Sequence, residues 1–233
     1  MVSASTGTRV RAADVADAAE SARLQIAFLR HGFFPRLGHR FVRKWHVAHQ
    51  DSPYGAHLVA EVDGAVAGFL LGTSDQHQHV NWMLEHRRRQ LGIAGLGALL
   101  LRPTVFGNFL RTRAGRYARR LVGRHPGTTA RTEEPDEPVA VLEAVVINPS
   151  ARGLGAGSLL VECFLDLMEA RGATQVELVT KVGPEGAPEF YEQRGWNKVD
   201  EHIDRDGEPA LTYRIDMADR VAREPDPPEH GTS

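Results

Sequence analysis

Three glycines crowd into five positions directly before an apolar helix, a spacing that could bind a phosphate. The stretch Arg152-Gly153-Leu154-Gly155-Ala156-Gly157 follows the strand-like run VAVLEAVVI, which Asn148-Pro149 ends. Glycines let backbone N–H groups turn toward an anion without Cβ obstruction, and the helix N-terminus adds about half a positive charge. Arg152 adds a full charge. A turn that only lets strand and helix pack closely is the alternative, and neither a Walker loop nor a dinucleotide fingerprint fits.

Glu143 is placed to accept a proton. It is a carboxylate in an otherwise apolar strand, where burial is costly unless the group is paired or functional. Strand alternation puts it on the same face as Val141, Val145 and Ile147. We therefore take Glu143 as the first candidate for a general base, with a salt bridge to a nearby arginine as the alternative. Glu177, on the next predicted strand, is the second candidate.

The order of the helices and strands predicted around these residues indicates an α/β fold. Apolar periodicity and turn signals give the order strand, two helices, hairpin, insert, central strand, helix, strand, helix, strand. Asp63-Gly64 marks the hairpin. The helices are predicted from Asp14 through Leu29, over 39–50, from about Ser158 to Arg171, and at APEFYEQRG; the later strands are TQVELVT and LTYRIDM.

The segment VVINPSARGLGAGSLL…FYEQRGW resembles the GNAT superfamily of N-acetyltransferases. The family's pyrophosphate loop, Arg/Gln-x-x-Gly-x-Gly/Ala, is matched by Arg152, Gly155 and Gly157. Its Phe-Tyr-x-x-x-Gly-Phe/Trp helix is matched by Phe190, Tyr191, Gly195 and Trp196. The resemblance is good over residues 139–215 and looser over 8–75, and it fails over 79–138.

The resemblance implies an α/β fold with a mixed twisted sheet of six or seven strands and helices on both faces. The residues of this chain add a basic helical insert between the hairpin and the central strand. The resemblance implies acetyl-CoA as co-substrate, bound where the strands around Val145–Ile147 and Val176–Thr180 splay apart, and no metal. Backbone groups of Val145, Val146 and Ile147 would bind the pantetheine arm. The pyrophosphate would be bound by Arg152 and by the amides of Gly153, Leu154, Gly155, Ala156, Gly157 and Ser158.

The resemblance also assigns roles to single side chains. Tyr191 matches the family's usual thiolate donor, because a phenol can hydrogen-bond or protonate a departing thiolate; a plain core tyrosine is the alternative. Glu143 corresponds approximately to a base position of the family. His31, in the break LRHGFFPRLG, lies where relatives place acceptor-binding loops.

Charge is distributed unevenly along the chain. The formal net charge is −2, yet residues 86–124 carry ten arginines, no lysine and no carboxylate. Arginine favours phosphate and carboxylate partners. We therefore expect either a solvated helix in the insert from Arg87 to Arg124, or an acidic partner there: a phosphorylated acceptor, an anionic membrane surface or an acyl carrier protein. Nucleic acid is disfavoured, since the interleaved aromatics form an apolar helix face.

The composition indicates how many domains the chain has and where the protein is located. We expect one domain over 8–221, with 79–138 as a helical insert plus an acidic, proline-containing linker, between disordered segments at 1–7 and 222–233. Cys163 is the single cysteine, so no internal disulfide forms. The longest apolar run, 91–101, is too short to span a membrane. A cytoplasmic protein, at most peripheral to a membrane, is the expectation; a homodimer stays open.

The function expected from these observations is transfer of an acetyl group from acetyl-CoA to a primary amine of a small molecule, a peptide or an acidic (phosphorylated or sugar-linked) acceptor. Two alternatives stay open: an N-acyltransferase that takes a longer acyl chain from an acyl carrier protein, and a non-catalytic acyl-CoA-binding module. Tyr191 and Glu143 argue against the second alternative. Superfamily membership does not specify the acceptor, because function resides in the site.

Overall fold

One eight-stranded sheet organises the described part of the chain. The structure, a computed structural model, describes residues 2–4, 7–29, 33–93, 139–183, 186–204 and 207–221. Its strands lie in the order β1-β2-β3-β4-β5-β6-β8-β7, and every neighbouring pair is antiparallel except β5 and β6. The strands β1 to β8 are Val2–Ala4, Thr8–Ala12, Gly55–Val62, Ala65–Thr73, Ala140–Ile147, Gln175–Lys181, Asn197–Ile203 and Pro209–Asp216.

Helices cover both faces of this sheet. The helices α1 to α7 are Asp17–Phe28, Phe33–Arg36, His39–Asp51, Gln76–His86, Ala156–Ala170, Pro188–Glu192 and Met217–Val221. On one face, Leu24 of α1 packs in a cluster with Phe69 and Leu71 of β4. On the other face, Leu160 and Phe164 of α5 belong to the larger core cluster. Because successive strand residues point to opposite faces, the two clusters lie on opposite sides of the sheet.

Helix α5 is the element that follows the glycine stretch, and its apolar side anchors it to the sheet. Its buried residues recur at helical spacing, so one face packs inward: Ala156, Leu159, Leu160, Val161, Phe164, Leu165 and Met168. The approach is close at Gly72 of β4, where an added Cβ would lie 2.5 Å from the Phe164 ring. The absence of a side chain at Gly72 therefore allows α5 to pack this close to β4.

The predicted fold class is confirmed, and the sheet has one strand more than the upper limit of the expected six or seven. The helix over 39–50 and the hairpin at Asp63-Gly64 are also confirmed, since α3 is His39–Asp51 and β3 pairs with β4 around that turn. Residues 1–7 were expected to be disordered, yet β1 pairs with β2 through backbone hydrogen bonds that need no side-chain pattern. Strand β7 is exposed along its whole length, so it carries no hydrophobic alternation.

The predicted helical insert lies mostly outside the described residues. Helix α4 ends at His86, and residues 88–93 are again helical. Residues 94–138, which include most of the arginines of the insert, lie outside the described part, as do His31 and the predicted tail over 222–233. Within the described ranges, each helix is too short or too polar to cross a bilayer.

Two buried histidines between α1, α3 and the sheet are held neutral mainly by burial. His46 Nε2 lies 2.6 Å from Gln25 Oε1, and His57 Nε2 lies 3.1 Å from Ser21 Oγ. The amide of Gln50 donates to His57 Nδ1 at 3.0 Å, which leaves no room for a second ring proton. Burial and the positive charges of neighbouring histidines lower the pKa of both rings, that of His57 to about 3.

The lowered pKa values of His46 and His57 predict that the fold is less stable at acidic pH. Their folded pKa lies below the unfolded value of about 6.5, so the unfolded chain binds more protons at lower pH. The free energy of unfolding should not depend on these two groups above about pH 6.5. Below that pH it should fall by about 1 kcal/mol per pH unit for each histidine as the pH drops toward about 4. Denaturant unfolding at several pH values measures this slope, and His57→Gln should reduce it. A free energy of unfolding that does not change with pH over that range would contradict the prediction.

Candidate functional site

The parallel pair β5–β6 opens partway along its length. The two strands pair only from Ala140 to Leu142 of β5 and from Val176 to Leu178 of β6. Beyond that point β5 continues to Ile147, held on its other side by β4. On the side that faces β6, Val145, Val146 and Ile147 therefore have no paired strand among the described strands. This opening can accept an extended ligand through backbone hydrogen bonds.

The loop after β5 leads directly from this opening into helix α5. A single turn at Pro149–Ala151 is closed by the Asn148 side chain, which accepts a hydrogen bond from the amide of Ser150. Gly153 and Gly155 then adopt φ values of +80° and +77°, a region that L side chains rarely occupy. Gly155 is the residue immediately before α5. Backbone conformation, and not lack of space, requires glycine at both positions, because an added Cβ would meet nothing within 4 Å.

The amides of this loop are free to bind an anion. Within the described residues, none of the N–H groups from Gly153 through Ser158 donates to a backbone or side-chain acceptor, whereas Leu159 N donates to Gly155 O. The first N–H groups of a helix lack intrahelical partners and carry its partial positive charge. Arg152 is exposed beside them. The arrangement is suited to a phosphate or pyrophosphate group.

Arg194 is a second cation at this helix end, and sequence analysis missed it. Its Nη1 donates to the carbonyl of Phe190 at 2.8 Å, and its Nη2 donates to Ser158 Oγ in the first turn of α5. The guanidinium carbon lies 3.7 Å from the centre of the Phe190 ring. The signal was present, because Arg194 is the variable position just before Gly195 in the aromatic motif. Arg194 joins α6 to the start of α5.

Tyr191 lies in α6, buried among aromatic rings. Its ring centroid is 5.7 Å from that of Trp196 and 6.3 Å from that of Tyr213. Burial raises the pKa of its hydroxyl to about 12, against a smaller opposite effect of the Arg194 charge. Within the described part of the chain, that hydroxyl makes no hydrogen bond. Tyr191 is therefore protonated at neutral pH and available as a donor.

Glu143 lies at a β-bulge, which changes the face assignment made from sequence. Leu71 of β4 pairs with Ala144 and Gly72 with Leu142, so Glu143 is the extra residue. Before the bulge, Leu142 packs in the α5-side cluster, whereas after it Ala144 packs on the α1 side. The prediction that Glu143 shares a face with Val145 and Ile147 is wrong, because those two residues pack on the α5 side.

The carboxylate of Glu143 is paired with a buried histidine, and not with the arginine considered as the alternative. His49 Nε2 of α3 lies 3.0 Å from Glu143 Oε2, and His49 Nδ1 lies 3.1 Å from the carbonyl of Trp45. Both nitrogens face oxygen acceptors, which favours the imidazolium form. Burial opposes both charges, yet their attraction lowers the pKa of Glu143 and raises that of His49. The Glu143 side chain keeps 20% exposure.

His79 of α4 completes this cluster. Its Nδ1 lies 2.9 Å from Ser52 Oγ, and its ring centroid lies 4.4 Å from that of His49. Burial, reinforced by the charge on His49, lowers the pKa of His79 to about 4. Its Nε2 is buried without a partner in the described structure. Sequence analysis missed both histidines, because eleven histidines along the chain gave no reason to choose these two.

Glu177, the second candidate base, is engaged elsewhere. Its Oε1 accepts a hydrogen bond from Arg214 Nε of β8 at 2.9 Å. His31, the residue expected near an acceptor-binding loop, lies outside the described residues. The structure therefore brings together the loop, Tyr191 and Arg194 on the α5 side, and Glu143 with its two histidines on the other.

The comparisons with known proteins agree with this architecture. Residues 106–196 match the model of the Acetyltransferase (GNAT) family. No curated protein sequence matches the chain. A spermidine N-acetyltransferase chimera from Vibrio cholerae and hSSAT is similar in structure, with TM-score 0.57, 11% identity, and coverage of 94% of this chain and 100% of that chain.

Two further solved structures have the same fold. The protein yncA of Salmonella typhimurium, solved with its cofactor acetyl-CoA, gives TM-score 0.54 at 12% identity over 91% of this chain and 95% of that chain. An N-acetyltransferase from Staphylococcus aureus gives TM-score 0.53 at 14% identity over 91% of this chain and 99% of that chain. At such identities the similarity establishes the fold.

Proposed function

Residues 106–196 match the GNAT acetyltransferase family, and from this premise we propose that the chain transfers an acetyl group from acetyl-CoA to a primary amine by direct attack. The observation that carries the proposal is the row of free amides from Gly153 to Ser158, at the mouth of the opening between β5 and β6. An anion-binding helix end next to an unpaired strand segment suits a ligand that joins a pyrophosphate to an extended amide-containing arm.

The donor binds along β5 and its loop in this proposal. Arg152 and the amides of Gly153, Leu154, Gly155, Ala156, Gly157 and Ser158 bind the pyrophosphate. The peptide groups of Val145, Val146 and Ile147 hydrogen-bond the pantetheine arm. The arm takes the place of β6, whose pairing with β5 ends at Leu178. Arg194, which contacts Ser158, adds positive charge at the same helix end.

The chemistry needs one proton acceptor and one donor. As the amine nitrogen bonds to the thioester carbon and the carbon–sulfur bond breaks, Glu143 accepts the proton that the amine loses. Tyr191 donates to the departing thiolate from the α5 side, so the thioester lies in the opening between β5 and β6, where groups from both faces can reach it. Glu143 is ionised by its pairing with His49, and the raised pKa of Tyr191 keeps its hydroxyl protonated. Each group is therefore in the protonation state that its role requires.

An acidic acceptor, phosphorylated or sugar-linked, fits the charge of the chain. The ten arginines of residues 86–124 favour an anionic partner. In the described part, a cavity of about 210 Å³ beside α3 is lined in part by Arg43 and Lys44, and by Arg87, which is paired with Asp51. These groups support an anionic acceptor or an anionic partner surface, and they leave an acyl carrier protein as the competing source of the acyl group.

Glu143→Gln tests the base. The substitution keeps the shape of the side chain and removes its charge, so turnover should fall by about 100-fold or more while the Kd for acetyl-CoA stays unchanged. Steady-state kinetics with calorimetric binding separates the two effects. Glu177→Gln is the matched control, because that carboxylate is paired with Arg214. Loss of turnover in Glu177→Gln, with none in Glu143→Gln, would transfer the role to Glu177.

The function itself is tested by acetyl transfer to a panel of amines. Purified protein with acetyl-CoA is offered an amino-sugar phosphate, a polyamine and a peptide with a free N-terminus, and both thiol release and the acetylated product are measured. We expect product with at least one amine, the anionic acceptor fastest. Binding of acetyl-CoA without transfer to any amine would favour the non-catalytic module, and acylation only from a charged acyl carrier protein would favour that donor.

A further inference from the structure

His49, His79 and Glu143 form a cluster that the acetyl-transfer chemistry does not fully explain. They come from α3, α4 and the bulge in β5, and one donor atom from each lies within 4.8 Å of the other two. Both histidines are fully buried, whereas Glu143 keeps one side partly exposed. The cluster therefore has an enclosed side and an accessible side.

Both imidazole rings are oriented through the same nitrogen. His49 Nδ1 is tied to the Trp45 carbonyl at 3.1 Å, and His79 Nδ1 to Ser52 Oγ at 2.9 Å. The two Nε2 atoms are thus the ones left to serve the cluster. Histidines that bind metals are commonly oriented by such a hydrogen bond from the other ring nitrogen.

The strongest indication of a bound ligand is the environment of the His79 Nε2 atom. It is buried and has no hydrogen-bond partner within the described structure. An unsatisfied buried polar atom costs free energy, so native structures rarely keep one without a reason. A proton shared between His49 and Glu143 satisfies those two groups and leaves His79 unexplained, whereas a bound cation would satisfy all three.

We propose that His49, His79 and Glu143 bind a divalent transition-metal ion of the Zn²⁺ type, through the two Nε2 atoms and the carboxylate. Two imidazoles and one carboxylate are a ligand set of such ions, and Mg²⁺ or Ca²⁺ would require more oxygen ligands. The fourth position lies on the accessible side at Glu143. Binding displaces the proton held between His49 and Glu143 into solvent.

The site has a consequence for acetyl transfer that rests on the proposed function. A metal bound to Glu143 occupies the carboxylate that would accept the amine proton. The ion therefore inhibits transfer, and a chelator restores it. Metal binding itself does not depend on acetyl-CoA, so the two proposals can fail separately.

The test is a titration of the chelator-treated full chain with Co²⁺, followed by its visible absorption, and with Zn²⁺ in competition with a chromophoric chelator. We expect one ion per chain and a rise in Tm on binding. His79→Gln should weaken binding by about 100-fold. Its metal-free Tm is measured alongside, because the substitution also removes the contact of Nδ1 with Ser52 and the packing of the ring on His49. Glu143→Gln is a second variant that should weaken binding without removing a buried ring.

His202→Gln is the control, since His202 is an exposed histidine on β7 that is paired with Asp200. It should bind Co²⁺ as the wild type does. No metal uptake by the wild type would overturn the proposal. Uptake that is equally strong in His79→Gln and in Glu143→Gln would overturn it as well, by placing the ion elsewhere on the chain.

Discussion

Gly157→Glu is expected to abolish acetyl-CoA binding while leaving the chain folded. Gly157 has an ordinary φ, and an added Cβ would lie 3.5 Å from Ile147, an ordinary contact. A carboxylate in the first turn of a helix is also favourable for the helix itself. It would, however, stand where the pyrophosphate needs the positive end of α5. Two like charges about 4 Å apart repel by about 4 kcal/mol at an effective dielectric constant of 20, or about 1000-fold in Kd.

Calorimetric titration with acetyl-CoA measures this effect, and two glycines that flank α5 provide matched comparisons. Gly155→Glu combines the charge with a strained φ of +77°, whereas Gly172→Glu has nearly the same φ, +80°, at the far end of the helix. Neither added Cβ would meet an atom within 4 Å. We expect Gly172→Glu to bind acetyl-CoA normally. Wild-type affinity in Gly157→Glu would show that the loop does not bind the pyrophosphate.

Tyr191→Phe is expected to lower turnover by about 100-fold or more, with acetyl-CoA affinity unchanged. Only the hydroxyl is removed, so the ring keeps its packing against Trp196 and Tyr213. Since burial raises the pKa of Tyr191 to about 12, the wild-type rate should show no loss from tyrosine ionisation up to about pH 10. Steady-state kinetics across this range, with calorimetric binding, measures both expectations.

Tyr213→Phe is the matched control for the loss of a buried phenol. Tyr213 donates to Glu192 at 2.5 Å, and burial together with this carboxylate raises its pKa to about 12. Its replacement should cost about 1 kcal/mol of stability and leave turnover nearly unchanged. Unchanged turnover in Tyr191→Phe would remove the thiolate-donor role and leave Tyr191 as a core residue.

The sequence predicted those parts of the site that are local along the chain. The loop from Arg152 to Ser158 and helix α5 are specified by neighbouring residues, so glycine spacing and apolar periodicity were enough. Arg194 could have been found from its place in the aromatic motif. Strands β1 and β7 were missed because backbone pairing at a sheet edge requires no alternating pattern.

The other side of the site depends on contacts between distant residues, which one sequence does not reveal. The bulge at Glu143 results from how β4 pairs with β5, and it changes which face the following residues occupy. His49 and His79 reach Glu143 from two separate helices. Their types alone could not distinguish them from the other histidines, and only tertiary packing brings the three side chains together.

The most direct test of the central claim, that this chain binds acetyl-CoA between β5 and β6, is a crystal structure of the complex. We expect the pyrophosphate within hydrogen-bonding distance of the amides of Leu154 through Ser158, the pantetheine arm along Val145–Ile147, and the thioester sulfur near the Tyr191 hydroxyl. Acetyl-CoA bound elsewhere, or a pyrophosphate away from the start of α5, would contradict the claim.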